Sequence, residues 1–121
     1  TFSLRANDLE FEKIYETVLE IQEKAIGMVR PGARASAIDK FARTELKKKG
    51  FRLIHGTGHG IGLEIHEART LGEKSKDVLR ENMVCTVEPG IYLSGKFGVR
   101  IEDDILVTKD ECEILTKGIR K

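Results

Sequence analysis

The sequence predicts an α+β domain, because two stretches with helical periodicity come first and strand-like runs follow after Gly50 without alternating with them. From Asn7 to Arg30, Leu9, Ile14, Val18, Ile21, Ala25, Met28 and Val29 recur at helical spacing among charged residues. Asn7 with Glu10 three residues later makes a capping pair at the start, and Pro31-Gly32 stops the helix. A second helix is expected from about Ala35 to Lys49, where Ile38, Phe41, Ala42 and Leu46 share one stripe. Lys47 to Lys49 suit its negative C-terminal end, and Gly50 suits a left-handed cap.

The strand-like runs are Phe51 to His55, Ile61 to His66, Met83 to Val87 and Val99 to Val107. The stretch from Ala68 to Asn82 is polar and reads as a surface connection. Met83 to Tyr92 and Gly98 to Val107 flank a short loop with Ser94 and Gly95, and are expected to pair as one β-hairpin. An antiparallel sheet behind two helices is the expected architecture.

Composition excludes several classes. The 121 residues, 40% of them hydrophobic, suit one core or a piece of one. Lys plus Arg at 21 nearly cancels Asp plus Glu at 20, so the one-signed field of a nucleic-acid or anionic-membrane binder is missing. No stretch has the length of a membrane span, and no signal-peptide pattern opens the chain. Cys85 and Cys112 stand alone, which fits neither a disulfide framework nor a zinc knuckle and favours a reducing, cytoplasmic setting. The chain begins with Thr1, from which an upstream segment is expected.

All three histidines, His55, His59 and His66, fall in one short run with Gly56, Gly58, Gly60 and Gly62 between them. Such a run reads either as polar residues in a turn-rich hairpin or as a site. Glycine weakens a strand, so four at alternate positions point to something that approaches the backbone closely. His55 and His59 share strand parity; His66 has the opposite parity and joins them only through a bulge or a change of strand. The glycines never form the dinucleotide pattern, and Gly90 to Phe97 departs from a phosphate loop because Phe97 stands where Ser or Thr is required.

Two glutamates lie in the hairpin. Counted by twos, Glu88 shares a face with Val84 and Thr86, and Arg100 shares one with Glu102. A carboxylate in so apolar a strand is costly unless it is paired or binds a metal. One reading pairs Glu88 or Glu102 with Arg100 at a solvated edge, to which the neighbouring Asp103 and Asp104 add weight. The other joins an imidazole to two carboxylates, a mixed N/O set that suits Mn²⁺, Co²⁺, Fe²⁺ or Zn²⁺.

The blocks His55-Gly-Thr-Gly-His59-Gly-Ile-Gly with His66-Glu67, Thr86-Val-Glu88-Pro-Gly-Ile-Tyr92, and Val99-Arg-Ile-Glu102-Asp-Asp-Ile-Leu-Val-Thr108 resemble, in order and spacing, those of the Xaa-Pro aminopeptidases and prolidases. Arg30-Pro31-Gly32, Ile38-Asp39 and Ala42-Arg43 look like that family's helical portion. The resemblance implies the C-terminal part of a pita-bread metallopeptidase catalytic domain, residues 1–121, that hydrolyses peptides with proline in the second position. It implies that His59, Glu88 and Glu102 are metal ligands, Glu102 being shared by two divalent ions, manganese first, with cobalt, zinc or iron as alternatives. His55, His66 and Arg100 would contact substrate or support the ligands, and Glu88 would also shuttle a proton. In such a site paired ions acidify a water and stabilise the oxyanion.

Two departures stand out. Arg69 takes the place of a proline that the family usually has two residues after the Glu of its His-Glu pair. The family's two further Asp ligands would fall upstream of Thr1. The piece is therefore expected to bind metal weakly, to be inactive alone and to self-associate through an uncovered sheet edge as a homo-oligomer. Methionine aminopeptidases share the His59 and His66 pattern and are the enzymatic alternative. A peptide-binding member that no longer hydrolyses is the other.

Overall fold

The computed structural model describes residues 8–118, and at 68 and 69 the backbone alone. Helix α1 (Leu9–Ile26) starts on Asp8, whose side chain accepts from the Phe11 amide at 3.0 Å. Asn7, the expected cap, lies outside the described residues. The helix ends at Ile26, capped by Gly27 and four residues before the expected Arg30, so Met28 and Val29 belong to a turn and not to the helical stripe. Helix α2 (Ala35–Lys48) matches its periodicity closely, and Gly50 takes the left-handed conformation at φ +85° just beyond it. No helix among the described residues is long and apolar enough to cross a membrane.

Seven strands follow: β1 (Gly58–Gly60), β2 (Glu67–Leu71), β3 (Val84–Val87), β4 (Gly90–Leu93), β5 (Phe97–Arg100), β6 (Asp103–Val107) and β7 (Cys112–Ile114). The antiparallel order β2-β1-β3-β6-β7 makes the larger sheet, and β4-β5 makes a two-stranded ribbon. The arrangement is α+β.

The helices cover one face of both sheets. Ile14, Val18 and Ile21 of α1 with Ala42 and Leu46 of α2 pack on Ile91, Val99 and Ile101. Further along, Ala25, Ile26 and Ile38 pack on Leu71, Cys85, Val87, Ile105 and Val107. Alternation along β3 and β6 thus sends Cys85, Val87, Ile105 and Val107 towards the helices and leaves Thr86, Glu88 and Glu102 for the opposite face. Asp103 also turns to the helix side and is buried, contrary to the wet acidic triplet expected. Gln22 Nε2 donates to it at 2.7 Å and the Thr116 hydroxyl at 2.7 Å, which offsets its desolvation.

Three strand expectations are corrected. Phe51 to His55 forms no strand, because its backbone groups bond to α2 side chains instead of a neighbouring strand. Ile61 to His66 is a series of bends, and the strands lie on either side of it. The surface connection from Ala68 instead opens within β2, with Leu71 and Leu79 buried in the core.

The hairpin splits into two. Val87 pairs with Asp103 before the break and Gly90 with Arg100 after it, so one register runs through both halves. Pro89 has no amide to donate at the break, and its carbonyl accepts only a long 3.4 Å bond from the Ile101 amide.

Candidate metal centre

The register that carries through the break sets Glu88 directly opposite Glu102. Neither glutamate is part of a named strand, so both sit where the hairpin bends from one sheet into the other. Strand β1 brings His59 alongside. It can lie close to β3 only because residue 58 is glycine: a Cβ there would collide with the Thr86 carbonyl oxygen. One ligand-type atom each from His59, Glu88 and Glu102 then lies within 4.8 Å of the others.

The proton on His59 can be located from its partners. Nδ1 is 3.0 Å from the Gly60 carbonyl oxygen, which can only accept, so Nδ1 carries the hydrogen. Nε2 is 3.2 Å from Glu88 Oε1. In a neutral imidazole that places a lone pair against a carboxylate oxygen, an arrangement that calls for a cation or a second proton between them. An imidazole tethered by its other nitrogen to a carbonyl is how metal-bound histidines are held. The N/O donor set of the three residues fits a divalent first-row ion.

Charge points the same way. Arg100 Nε lies 3.6 Å from Glu88 Oε2 and 3.6 Å from Glu102 Oε2, one cation against two carboxylates. Burial and the Glu88 charge hold the Glu102 carboxyl above its ordinary range. Burial works against the Arg100 guanidinium, but its hydrogen bond to Tyr92 and the two glutamates raise its pKa all the same.

His55 and His66 flank this set in an open cleft of about 750 Å³ that also borders Thr70, Glu88 and Arg100. The His66 ring lies 4.1 Å from that of His59, centre to centre, tilted by 48°. The parity conflict between them is removed by a change of strand: the register shifts at Gly60, and the bends at 62–66 turn the chain back. His55 donates through Nδ1 to the Gly56 carbonyl at 2.7 Å, and its Nε2 is 2.8 Å from the Tyr92 hydroxyl. His55 reaches the cleft from irregular chain, not from the strand shared with His59 that parity suggested.

Sequence reasoning missed two contributors. Tyr92 lies across Gly98, its strand partner, and Gly90, two residues earlier, where Cβ atoms would run into the ring. An aromatic flanked by glycines at the same-face and opposite positions was the available signal. The second is Asp39 with Arg43 on α2. Arg43 Nε donates to Asp39 Oδ2 at 2.6 Å, and its terminal nitrogens donate to the carbonyls of Leu53 and His55 at 2.8 and 2.7 Å. Asp39, fully buried, accepts from both the amide and the hydroxyl of Thr57 at 2.9 Å. The Thr57 carbonyl in turn accepts from the Glu88 amide at 2.7 Å. Polar residues one and five places into a helical stripe of Ile38 and Ala42 were the signal there.

The family model for metallopeptidase family M24 matches residues 1–109. The chain belongs to metallopeptidase family M24. Membership implies use of a divalent metal. The M24 chain is 45% identical over 111 residues to a protein named Xaa-Pro dipeptidase from Pyrococcus furiosus, covering 90% of this chain and 32% of that one. It superposes on the solved structure of prolidase from Pyrococcus furiosus with a TM-score of 0.94 at 41% identity, covering 98% of this chain and 36% of the other. A methionine aminopeptidase structure from Rickettsia prowazekii gives a TM-score of 0.77 at 26% identity, covering 89% and 53%. The two helices and antiparallel sheet are those of the pita-bread fold. The M24 chain spans about a third of the length of the curated relatives it matches.

Proposed function

We propose that residues 1–121 form the C-terminal part of the catalytic domain of a metal-dependent aminopeptidase or dipeptidase that hydrolyses peptides with proline in the second position. The observation that carries this reading is the convergence of His59, Glu88 and Glu102, one ligand-type atom of each within 4.8 Å of the others, beside an open cleft that His59 and Glu88 line. Proline specificity is supported by the 45% identity to a relative named Xaa-Pro dipeptidase, against 26% to the methionine aminopeptidase structure.

In this reading His59, Glu88 and Glu102 would hold divalent metal, manganese first and cobalt, zinc or iron next. When bound, the metal supplies Lewis acidity at the scissile carbonyl and acidifies a water. Glu88, its carboxylate at the cleft, would serve as the proton shuttle, accepting a proton there and delivering it to the leaving amine. His66, its ring beside that of His59, donates to the substrate, and His55, fixed by Gly56 and Tyr92, faces it. Arg100 holds both carboxylates in orientation. The other ligands come from the rest of the whole protein, so residues 1–121 alone bind metal weakly and turn over negligibly. Two free thiols suit a reducing cytoplasm, and a homo-oligomer remains the proposed assembly.

The test is hydrolysis by the full-length protein, stripped with chelator and resupplied with Mn²⁺, of a Xaa-Pro dipeptide against Met-Ala. Metal-dependent cleavage of the Xaa-Pro peptide is expected. Preference for Met-Ala would establish the methionine aminopeptidase reading, and cleavage of neither would support a binding member of the fold.

A further inference from the structure

We propose that Thr86 is the positioning residue that fixes His59 and Glu88 relative to one another at the metal. The inference rests on the reading of those two residues, with Glu102, as ligands. Thr86 lies in β3, 1% exposed, and its register places it opposite His59. The His59 amide donates to its Oγ1 at 3.0 Å, and its Oγ1 lies 3.0 Å from Glu88 Oε1.

A hydroxyl has one hydrogen and can donate once. With the His59 amide already donating to the oxygen, and a carboxylate able only to accept, the Thr86 hydrogen must point at Glu88 Oε1. That is the same oxygen that sits 3.2 Å from His59 Nε2. One side chain therefore holds the backbone of the imidazole ligand and the oxygen of the carboxylate ligand that faces it. The bond to Glu88, at 3.0 Å, is charge-assisted and so stronger than one between neutral groups. The β-branched side chain adds to this, since its χ1 is restricted and the hydroxyl cannot swing away. The arrangement requires β1 and β3 to be unusually near each other, which the missing side chain at Gly58 permits. Neither His59 nor Glu88 reaches the centre of a long regular ladder, so a side chain supplies the rigidity that strand pairing does not.

Thr86→Val keeps the shape and removes the hydroxyl; Thr86→Ser keeps the hydroxyl and loosens the rotamer. In the full-length protein, Mn²⁺ titration by calorimetry should show affinity weakened about 10–100-fold in T86V, the range typical for groups that orient metal ligands. T86S should stay within a few-fold of wild type, and the metal-free melting temperatures of wild type and T86S should coincide. A merely structural threonine would shift melting without this split in affinity. Thr86→Cys, whose thiol is a weak donor, serves if T86V does not fold, and should fall between wild type and complete loss. T86V or T86C binding Mn²⁺ as tightly as wild type would overturn the inference. Glu88→Ala separates the two levels: if it too binds Mn²⁺ normally, the ligand reading itself is wrong.

Discussion

Two glycine-rich histidine segments flank the centre, and they are held in opposite ways. Residues 53–59 are tied down from three directions: by Asp39 and Arg43 of α2, by the Leu71 carbonyl that accepts from the Thr57 amide at 2.8 Å, and by β3. Residues 61–66 stand out from the sheet, with Leu63 fully exposed and Ile65 at 76%. The hydrogen bonds there are the Ile61 amide to Val84 and the Gly62 amide to Glu64. Similar composition thus yields a fixed segment that carries His59 and an open one that carries His66. The difference comes from what packs underneath, since a helix bearing a buried carboxylate lies behind the first segment and not the second.

The largest expected effect tests that difference at its root. Asp39→Ala leaves the Arg43 guanidinium without its carboxylate and the buried Thr57 hydroxyl without its acceptor, and should cost about 3–5 kcal/mol of stability in urea denaturation. Leu63→Ser, in the open segment, should stay within about 0.5 kcal/mol of wild type. Equal costs for the two would break the comparison.

Smaller effects separate two glycines. A Cβ at Gly58 meets the Thr86 backbone, which cannot yield, whereas one at Gly62 meets the carboxylate of Glu67, the far end of a flexible side chain. Gly58→Ala should therefore cost about 1–3 kcal/mol, as overpacking does, and Gly62→Ala clearly less. Reversal of that order in thermal melts would show that β1 and β3 are not held as described.

Much of this was legible beforehand. The 3.6-residue stripe located α2 almost to the residue, because its apolar face is buried along its length. Residue type alone left open whether the glutamates pair with Arg100 or bind metal, and it was the family resemblance that implied His59, Glu88 and Glu102, which the structure brings together. What stayed hidden was non-local. Phe51 to His55 has a strand's composition, but α2 side chains occupy the backbone groups a strand would use. The split hairpin depends on Pro89 falling at the bend, and buried Asp103 depends on Gln22, which is distant in sequence. Local pattern carries no record of such partners.

Support of the ligands is tested more gently by Arg100→Ala, which should lower turnover of the full-length enzyme about 10–100-fold with unchanged melting. Unchanged kinetics would make Arg100 a solvated surface residue.

The smallest effect is an absence of change. Burial pushes the Cys85 thiol up to about 12, and alkylation needs the thiolate, so Cys85 should resist iodoacetamide at pH 8 while the protein is folded. The Cys85 side chain packs between β3 and the helices, so its labelling reports opening of that core. Half-buried Cys112 should react first. Rapid labelling of Cys85 would mean that the helices part readily from the sheet.

Whether His59, Glu88 and Glu102 share a metal ion can be seen by anomalous diffraction from the full-length protein crystallised with Mn²⁺. A peak is expected at roughly 2.0–2.2 Å from His59 Nε2 and from an oxygen of each glutamate. A peak bound elsewhere, or none at saturating Mn²⁺, would show that the three residues are not ligands.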